Sequence, residues 1–330
     1  MFLPSSLVHN FNQKKVKQQP LVSIIIPTYN QEKFLAKAVE SALAQDYENL
    51  EVIVSDDCST DNTELTIAKF LHDKRFRYFR NTQNLGRVKN YKNGLENYAS
   101  GEWAINLDGD DYFTNPSYIK NAIDGLSAVV KKDVVFVQGG HEVRDEEGNL
   151  IRTDLPAIKS PQLVMEGKDY FLTFHHFSHM ATLFNRPKAI AIDFYRYDIY
   201  SSDIESFLRL ALEGRVILTR EVAGVWRQHG SNASRECAIQ DLERNVLQIE
   251  GPYNYAKEKN IFSSKELERW RSRLLKKFHQ NLISIFVSSK TLKGYLPHVA
   301  RLNPGIFFKL STIKTIVAAL VKRYSFARQQ

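Results

Sequence analysis

Only two cysteines, Cys58 and Cys237, occur in 330 residues. Far apart in the chain, they supply neither a disulfide framework nor a four-cysteine zinc site, and two reduced thiols in a cytosolic protein are expected. Long hydrophobic runs are missing as well. No stretch reaches the roughly 18 uncharged apolar residues that a membrane span requires, and MFLPSSLVHN breaks off before a signal-peptide core forms. Neither a cleaved signal nor a spanning helix is therefore expected. No G-x-G-x-x-G follows the first apolar run and no G-x-x-x-x-G-K-[ST] occurs anywhere, which removes the usual signals of dinucleotide oxidoreduction and P-loop phosphoryl transfer.

What is present suffices for a full core, with 43% hydrophobic residues. The net charge of +8 is unevenly spread, since residues beyond 250 carry +13 and those before carry −5. The expected organisation is an N-terminal arm over residues 1–20, a main domain over 21–250 and a basic helical region over 251–330.

Residues 22–26, VSIII, form a run rich in β-branched residues and closed by Pro27, which suits a strand covered on both faces. Asn30 then offers a helix cap, and Phe34, Leu35, Ala38, Val39 and Ala42 recur at helical spacing. The unit repeats. Strands are expected at 50–55, 75–80 and 103–107, with helices between them opened by the Asp61 and Glu64 capping signal and marked by Val88, Tyr91, Leu95 and Tyr98. Four such alternations imply a doubly wound sheet. Farther on, strands are expected at 134–138 and 216–218 and helices at 204–212 and 265–287, with a long loop over 156–167.

Ligands of an open α/β sheet gather beyond the carboxyl ends of its strands. The polar runs there are PTYN, DDCSTD and DGDD. Tyr29 offers a ring on which a nucleobase stacks. Asp57 either accepts from a base imide or ribose hydroxyl or caps the turn over residues 59–63. Asp108, Asp110 and Asp111 put three hard oxygen donors in four residues, the density that suits Mg²⁺ or Mn²⁺ bridging a diphosphate; a solvated acidic turn is the rival reading. In HHFSHM, His175, His176 and His179 lack partner cysteines, so an acceptor-side loop or satisfied structural histidines fit better than zinc.

The runs VSIIIPTYNQEKFLAKAVESALAQ, VIVSDDCSTDNT, NLGRVKNYKNGL and AINLDGDD resemble, in order and spacing over residues 21–125, the family 2 inverting glycosyltransferases of GT-A fold, including those of bacterial surface-polysaccharide assembly. More weakly, SSDIESFLRLALEG and VWRQHGSNAS resemble later family segments, so the likeness reaches about residue 235. The resemblance implies an α/β fold, a Rossmann-like and mostly parallel sheet flanked by helices, here with a helical basic C-terminal extension. It divides residues 21–250 into a nucleotide-sugar half to about 125 and an acceptor half.

Residue by residue, the resemblance implies that Pro27, Tyr29, Asp57 and Arg87 belong to the nucleotide site and that Asp108 sits near ribose. Asp110 leads metal binding with Asp111 beside it, and Asp203 falls at the catalytic-base position. His229 stands where related enzymes reach the metal or diphosphate; an ordinary loop histidine stays open as the alternative. Ser202 replaces the usual Glu before the base, and Lys92 stands where Asn is commoner. The implied activity is transfer of a hexosyl or N-acetylhexosaminyl group from a nucleotide-diphosphate sugar, a UDP-sugar ahead of a dTDP-sugar, to a saccharide or lipid-linked saccharide acceptor. Mn²⁺ or Mg²⁺ is the implied cofactor. A nucleotide-sugar binding protein without transfer activity and a sugar nucleotidyltransferase are the competing readings.

Leu310, Ile313, Val317, Leu320 and Tyr324 form an apolar stripe flanked by Lys309, Lys322 and Arg323. A helix at an anionic membrane surface, at the inner face of the plasma membrane, is one expectation; packing on the main domain or on a second subunit is the other. Nucleic acid is not expected, because the aromatic residues are not interleaved with the charge.

Overall fold

The computed structural model describes residues 19–127, 133–173, 178–230, 232 and 239–288. The apolar stripe from Leu310, as well as His175, His176 and Cys237, lies outside them. The first half runs β1 (Val22–Thr28), α1 (Leu35–Leu43), β2 (Leu50–Asp56), α2 (Thr63–Ile67), β3 (Phe76–Arg80), α3 (Arg87–Asn93), β4 (Trp103–Asn106), β5 (Tyr112–Phe113) and α4 (Tyr118–Ser127). The second runs β6 (Val134–Arg144), β7 (Leu150–Asp154), β8 (Gln162–Glu166), α5 (Gly167–Thr173), β9 (Thr182–Asn185), α6 (Arg186–Ala191), α7 (Ser202–Ala211) and β10 (Arg215–Arg227). Helices α8 (Ile239–Arg244), α9 (Leu247–Glu258) and α10 (Ser264–Ser288) follow.

The ten strands among the described residues join one sheet, with the path β3-β2-β1-β4-β9-β6-β10-β5 and with β7 on β6 and β8 on β10. Strands β1 to β4 pair in parallel, as do β6 and β10; β9, β5, β7 and β8 attach antiparallel. The sheet is therefore doubly wound in its first half and mixed in its second.

Every residue of β1 is buried, because β2 and β4 flank it and helices cover both faces. Its side chains alternate between layers. Ile24 and Ile26 join α1 and α4, while Ile25 meets Val88, Tyr91 and Leu95 of the α3 side. Each fully buried isoleucine is worth about 2 kcal/mol of transfer free energy. Helix α1 presents Leu35, Ala38, Val39 and Ala42, all fully buried, as the predicted stripe. Its N-cap, however, is Phe34, and Asn30 instead takes a left-handed turn with φ 53°. Helix α3 widens into a π turn over Gly94–Tyr98. A methyl on Gly94 would lie 2.8 Å from Ile25 Cγ2, so only glycine lets this turn settle on the sheet.

A third apolar cluster joins α5, α7, α9 and α10 through Phe171, Leu208, Ile249, Tyr253 and Trp270. Trp270 stacks on Phe171 at 4.2 Å and donates from Nε1 to the Phe171 carbonyl at 2.8 Å. The apolar residues Leu267 and Trp270 of α10 thus face the protein. Lys265, Arg269, Arg273, Lys276 and Lys277 are exposed, at helical spacing. No helix among the described residues is long and apolar enough to cross a membrane.

Candidate functional site

A cleft of about 830 Å³ opens where the carboxyl ends of β1, β2 and β4 meet the start of α7 and the end of β10. Pro27, Tyr29, Asp57 and Arg87 line it, together with Asp108, Asp110 and Asp111. So do Asp203 and His229, so the nine residues singled out by sequence share one cavity.

Just after β1, Tyr29 is 46% exposed, leaving a ring surface open to a flat partner. Asp57 is buried and accepts from the Leu85 and Gly86 backbone N–H groups at 2.8 and 2.9 Å and from Asn81 Nδ2 at 2.9 Å. Gly86 adopts φ 86°, a left-handed conformation that aims its N–H at the carboxylate. The turn-capping role considered for Asp57 falls to Asp56, which accepts from the Ser59 N–H at 2.9 Å and from Tyr78 Oη at 2.7 Å. Asp61 is likewise a clasp between loops, accepting from the Glu32 N–H at 3.0 Å and the Thr63 N–H at 3.0 Å.

Arg87 opens α3 and spans the cleft. Its Nη2 donates to the Tyr200 carbonyl at 2.6 Å and the Ile199 carbonyl at 3.2 Å, just ahead of α7. Burial works to lower its pKa, but Tyr91, Asp203 and Asp108 outweigh this and the guanidinium stays charged. Asp203 lies in the first turn of α7. Ser202, beside it, is buried and carries no charge.

The acidic corner follows β4. Asp108, Asp110 and Asp111 each offer a carboxylate oxygen within 4.8 Å of the others. Tyr91 Oη donates to Asp108 at 2.5 Å, and the Arg227 N–H donates to Asp111 at 2.9 Å. His229 Nε2 lies 3.0 Å from Asp110 Oδ2, and Asn232 Nδ2 donates to the same oxygen at 3.3 Å. Burial, then the charges of Asp110 and Asp108, push the Asp111 carboxyl well above its ordinary range. Asp108 is raised chiefly by burial, with His179 pulling the other way. Packed carboxylates that resist ionising together are relieved by a divalent cation, and a donor set of carboxylate oxygens with one imidazole nitrogen beside them suits Mg²⁺ or Mn²⁺.

The cavity also takes in residues the sequence reading did not select. His141, Arg152, Asp154 and Trp226 come from three strands, and apart from the i, i+2 step of Arg152 and Asp154 no spacing links them. His179 sits with its Nε2 2.7 Å from Asn106 Nδ2 and 3.1 Å from Tyr195 Oη, so it is wired into the wall of the cleft. Asn232, three residues after His229, had a legible cue in the HGSN run.

Known proteins resemble this chain in sequence and in architecture. It is 36% identical over 173 residues to an uncharacterized glycosyltransferase of Rickettsia typhi, covering 52% of this chain and 51% of that protein. It is 37% identical over 134 residues to the GalNAc(5)-diNAcBac-PP-undecaprenol beta-1,3-glucosyltransferase of Campylobacter jejuni, covering 40% and 41%. It is 35% identical over 124 residues to the UDP-Glc:alpha-D-GlcNAc-diphosphoundecaprenol beta-1,3-glucosyltransferase WfgD of Escherichia coli, covering 37% and 46%. The chain thus spans about half or less of the length of these curated relatives. Residues 1–349 of S. aureus TarS in complex with UDP-GlcNAc superpose with a TM-score of 0.54 at 16% identity, covering 94% of this chain and 92% of that one. The mannosyltransferase PcManGT of Pyrobaculum calidifontis, in complex with GDP-Man and Mn²⁺, gives 0.53 at 16% identity, covering 93% and 88%. Those two likenesses establish the GT-A fold. The family model "Glycosyl transferase family 2" matches residues 23–202, more than half the chain, and the protein therefore belongs to that family.

Proposed function

We propose that the protein transfers a hexosyl or N-acetylhexosaminyl group, with inversion, from a nucleotide-diphosphate sugar to a saccharide acceptor carried on a lipid, in bacterial surface-polysaccharide synthesis. The observation that supports this most is the convergence of nucleotide-facing, acidic and base candidates on one cleft. A UDP-sugar is the preferred donor; the E. coli relative is named for UDP-Glc and TarS is described with UDP-GlcNAc.

Tyr29 stacks on the base, Pro27 and Asp57 border it, Asp108 meets the ribose, and Arg87 ties this end to the segment before α7. An acceptor hydroxyl ionises far above neutrality, so Asp203 takes its proton as the new C–O bond forms. The electron pair of the breaking glycosyl–phosphate bond leaves with the diphosphate, and attack from the opposite side inverts the anomeric carbon. Asp110, Asp111 and His229 would hold Mn²⁺ or Mg²⁺, which when bound neutralises charge on the departing diphosphate. The donor half is assigned to residues 21–125 and the acceptor half to 126–250.

The test is transfer of radiolabelled glucose or N-acetylglucosamine from UDP to GlcNAc-diphospholipid and related carriers, with and without Mn²⁺. Absence of both transfer and UDP binding in the purified protein would remove the reading. Contact with the inner face of the plasma membrane through the basic residues of 251–330 belongs to the same proposal, supported by the exposed cations of α10. Flotation with phosphatidylglycerol vesicles, unchanged by K276E/K277E, would dismiss that part.

A further inference from the structure

Beyond the acidic corner, the cleft is walled by Trp226, His141, Arg152 and Asp154. Trp226 directly precedes Arg227, whose backbone N–H holds Asp111, so the indole stands one residue from the carboxylates. Arg152 and Asp154 alternate on β7 and share a face. Arg152 Nε donates to both Asp154 oxygens at 3.1 and 2.9 Å, and Asp154 Oδ2 lies 3.5 Å from His141 Nε2. The Arg152 guanidinium carbon sits 5.6 Å from the Trp226 ring centre, and the His141 ring meets the indole edge-on at 6.2 Å. Side-chain exposure climbs along this row from 6% at His141 through 18% at Asp154 to 47% at Arg152.

The charges of Arg152 and Asp154 cancel, so this end is not built for a second phosphate. It offers an apolar plate beside acceptors on Asp154 and donors on Arg152, whose Nη groups make no hydrogen bond among the described residues. A pyranose has matching chemistry, with an apolar C–H face and a rim of hydroxyls. Strand β7 borders this end, and Leu150 and Ile151 on it are about half exposed.

We propose that Trp226, with His141, Arg152 and Asp154, forms the subsite for the terminal pyranose of the acceptor. This rests on the reading of the cleft as a sugar-transfer site.

The test is saturation-transfer NMR on the full chain loaded with UDP and Mg²⁺, using octyl glycosides of glucose, galactose, N-acetylglucosamine and N-acetylgalactosamine as probes. Ring protons of at least one probe receive saturation in the wild type and in Trp226→Phe. The signal disappears in Trp226→Ala and weakens in Arg152→Gln, with about a tenfold loss of probe affinity for the alanine variant and unchanged UDP affinity. An undiminished signal in Trp226→Ala overturns the proposal, as does silence from every probe on protein that binds UDP. If Trp226→Ala instead weakens UDP-glucose relative to UDP, the indole serves the donor sugar and the acceptor assignment falls. Failure of UDP itself to bind defeats the transfer reading and this subsite together, which separates that case from the others.

Discussion

Replacing Arg209 with methionine strips the underside of α7 of a fully buried cation. Arg209 is fully buried and makes five hydrogen bonds. Two reach the Glu205 carboxylate at 2.7 Å each, and three reach the Ile192, Asp193 and Phe194 carbonyls at 2.5, 3.1 and 2.9 Å. Methionine leaves Glu205, whose side chain is 1% exposed, with Arg196 at 3.4 Å as its remaining cation. Removing one partner of a buried pair costs about 3–5 kcal/mol, mostly the penalty of the stranded charge. At roughly 2–4 °C per kcal/mol for a domain of this size, the melting temperature falls by about 10 °C. Urea denaturation followed by circular dichroism measures the loss. Adding Glu205→Gln removes the stranded charge and recovers part of it, though the Ile192 and Asp193 carbonyls still lose the Arg209 donor, while that of Phe194 keeps the Ser206 hydroxyl. Burial already raises the Glu205 carboxyl, and Arg209 is the leading opposing influence. Without Arg209 the folded state keeps a proton that the unfolded chain releases at neutral pH, so acid favours the fold and the deficit is smaller at about pH 5 than at about pH 8. A deficit under about 1 kcal/mol, or one that Glu205→Gln fails to lessen, refutes the reasoning.

Further outcomes follow from the cleft. Asp203→Asn lowers transfer about 10²–10⁴-fold while UDP affinity, read by calorimetry, stays as in the wild type; undiminished transfer would exclude Asp203 as base. His229→Ala weakens Mn²⁺ affinity about 10–100-fold through loss of the imidazole beside Asp110, and equal affinity would place His229 outside the metal site. The raised Asp111 carboxyl makes the metal-free fold favour bound protons, so its stability is full below the ordinary 3.8 and drops as pH climbs through the raised value. Manganese relieves that repulsion. Its stabilisation in a thermal shift assay is therefore larger at about pH 8 than at about pH 5, and a pH-independent shift would argue against it.

The first half is legible because β1, β2 and β4 are rich in apolar residues and buried throughout, and because polar residues follow each of them directly. The second half hid its strands. LIRTD and QLVME lie at sheet edges with mostly exposed side chains, so neither shows an apolar alternation. In sequence β10 shows only residues 216–218, because TRE interrupts its apolar run, yet it spans Arg215–Arg227 by bulging past that interruption. Helix α9 carries Gly251 and Pro252, which speak against a helix locally. Packing of Ile249, Tyr253 and Ala256 in the cluster that includes Leu208 of α7 overrides them. The Trp226 wall is assembled by strand pairing alone, and spacing in one chain carries no trace of it.

Strand β10 changes register against β6 between Leu218 and Val222 and again between Val222 and Val225, then holds step through Trp226 and Arg227. A residue inserted before Val222 meets a ladder already interrupted and is taken up there as a wider bulge. One inserted after Val225 has nowhere to hide. It would carry the indole, the N–H that steadies Asp111 and the imidazole beside Asp110 out of alignment at once. Length variation is thus expected to be tolerated between Thr219 and Val222 and lethal to activity just after Val225.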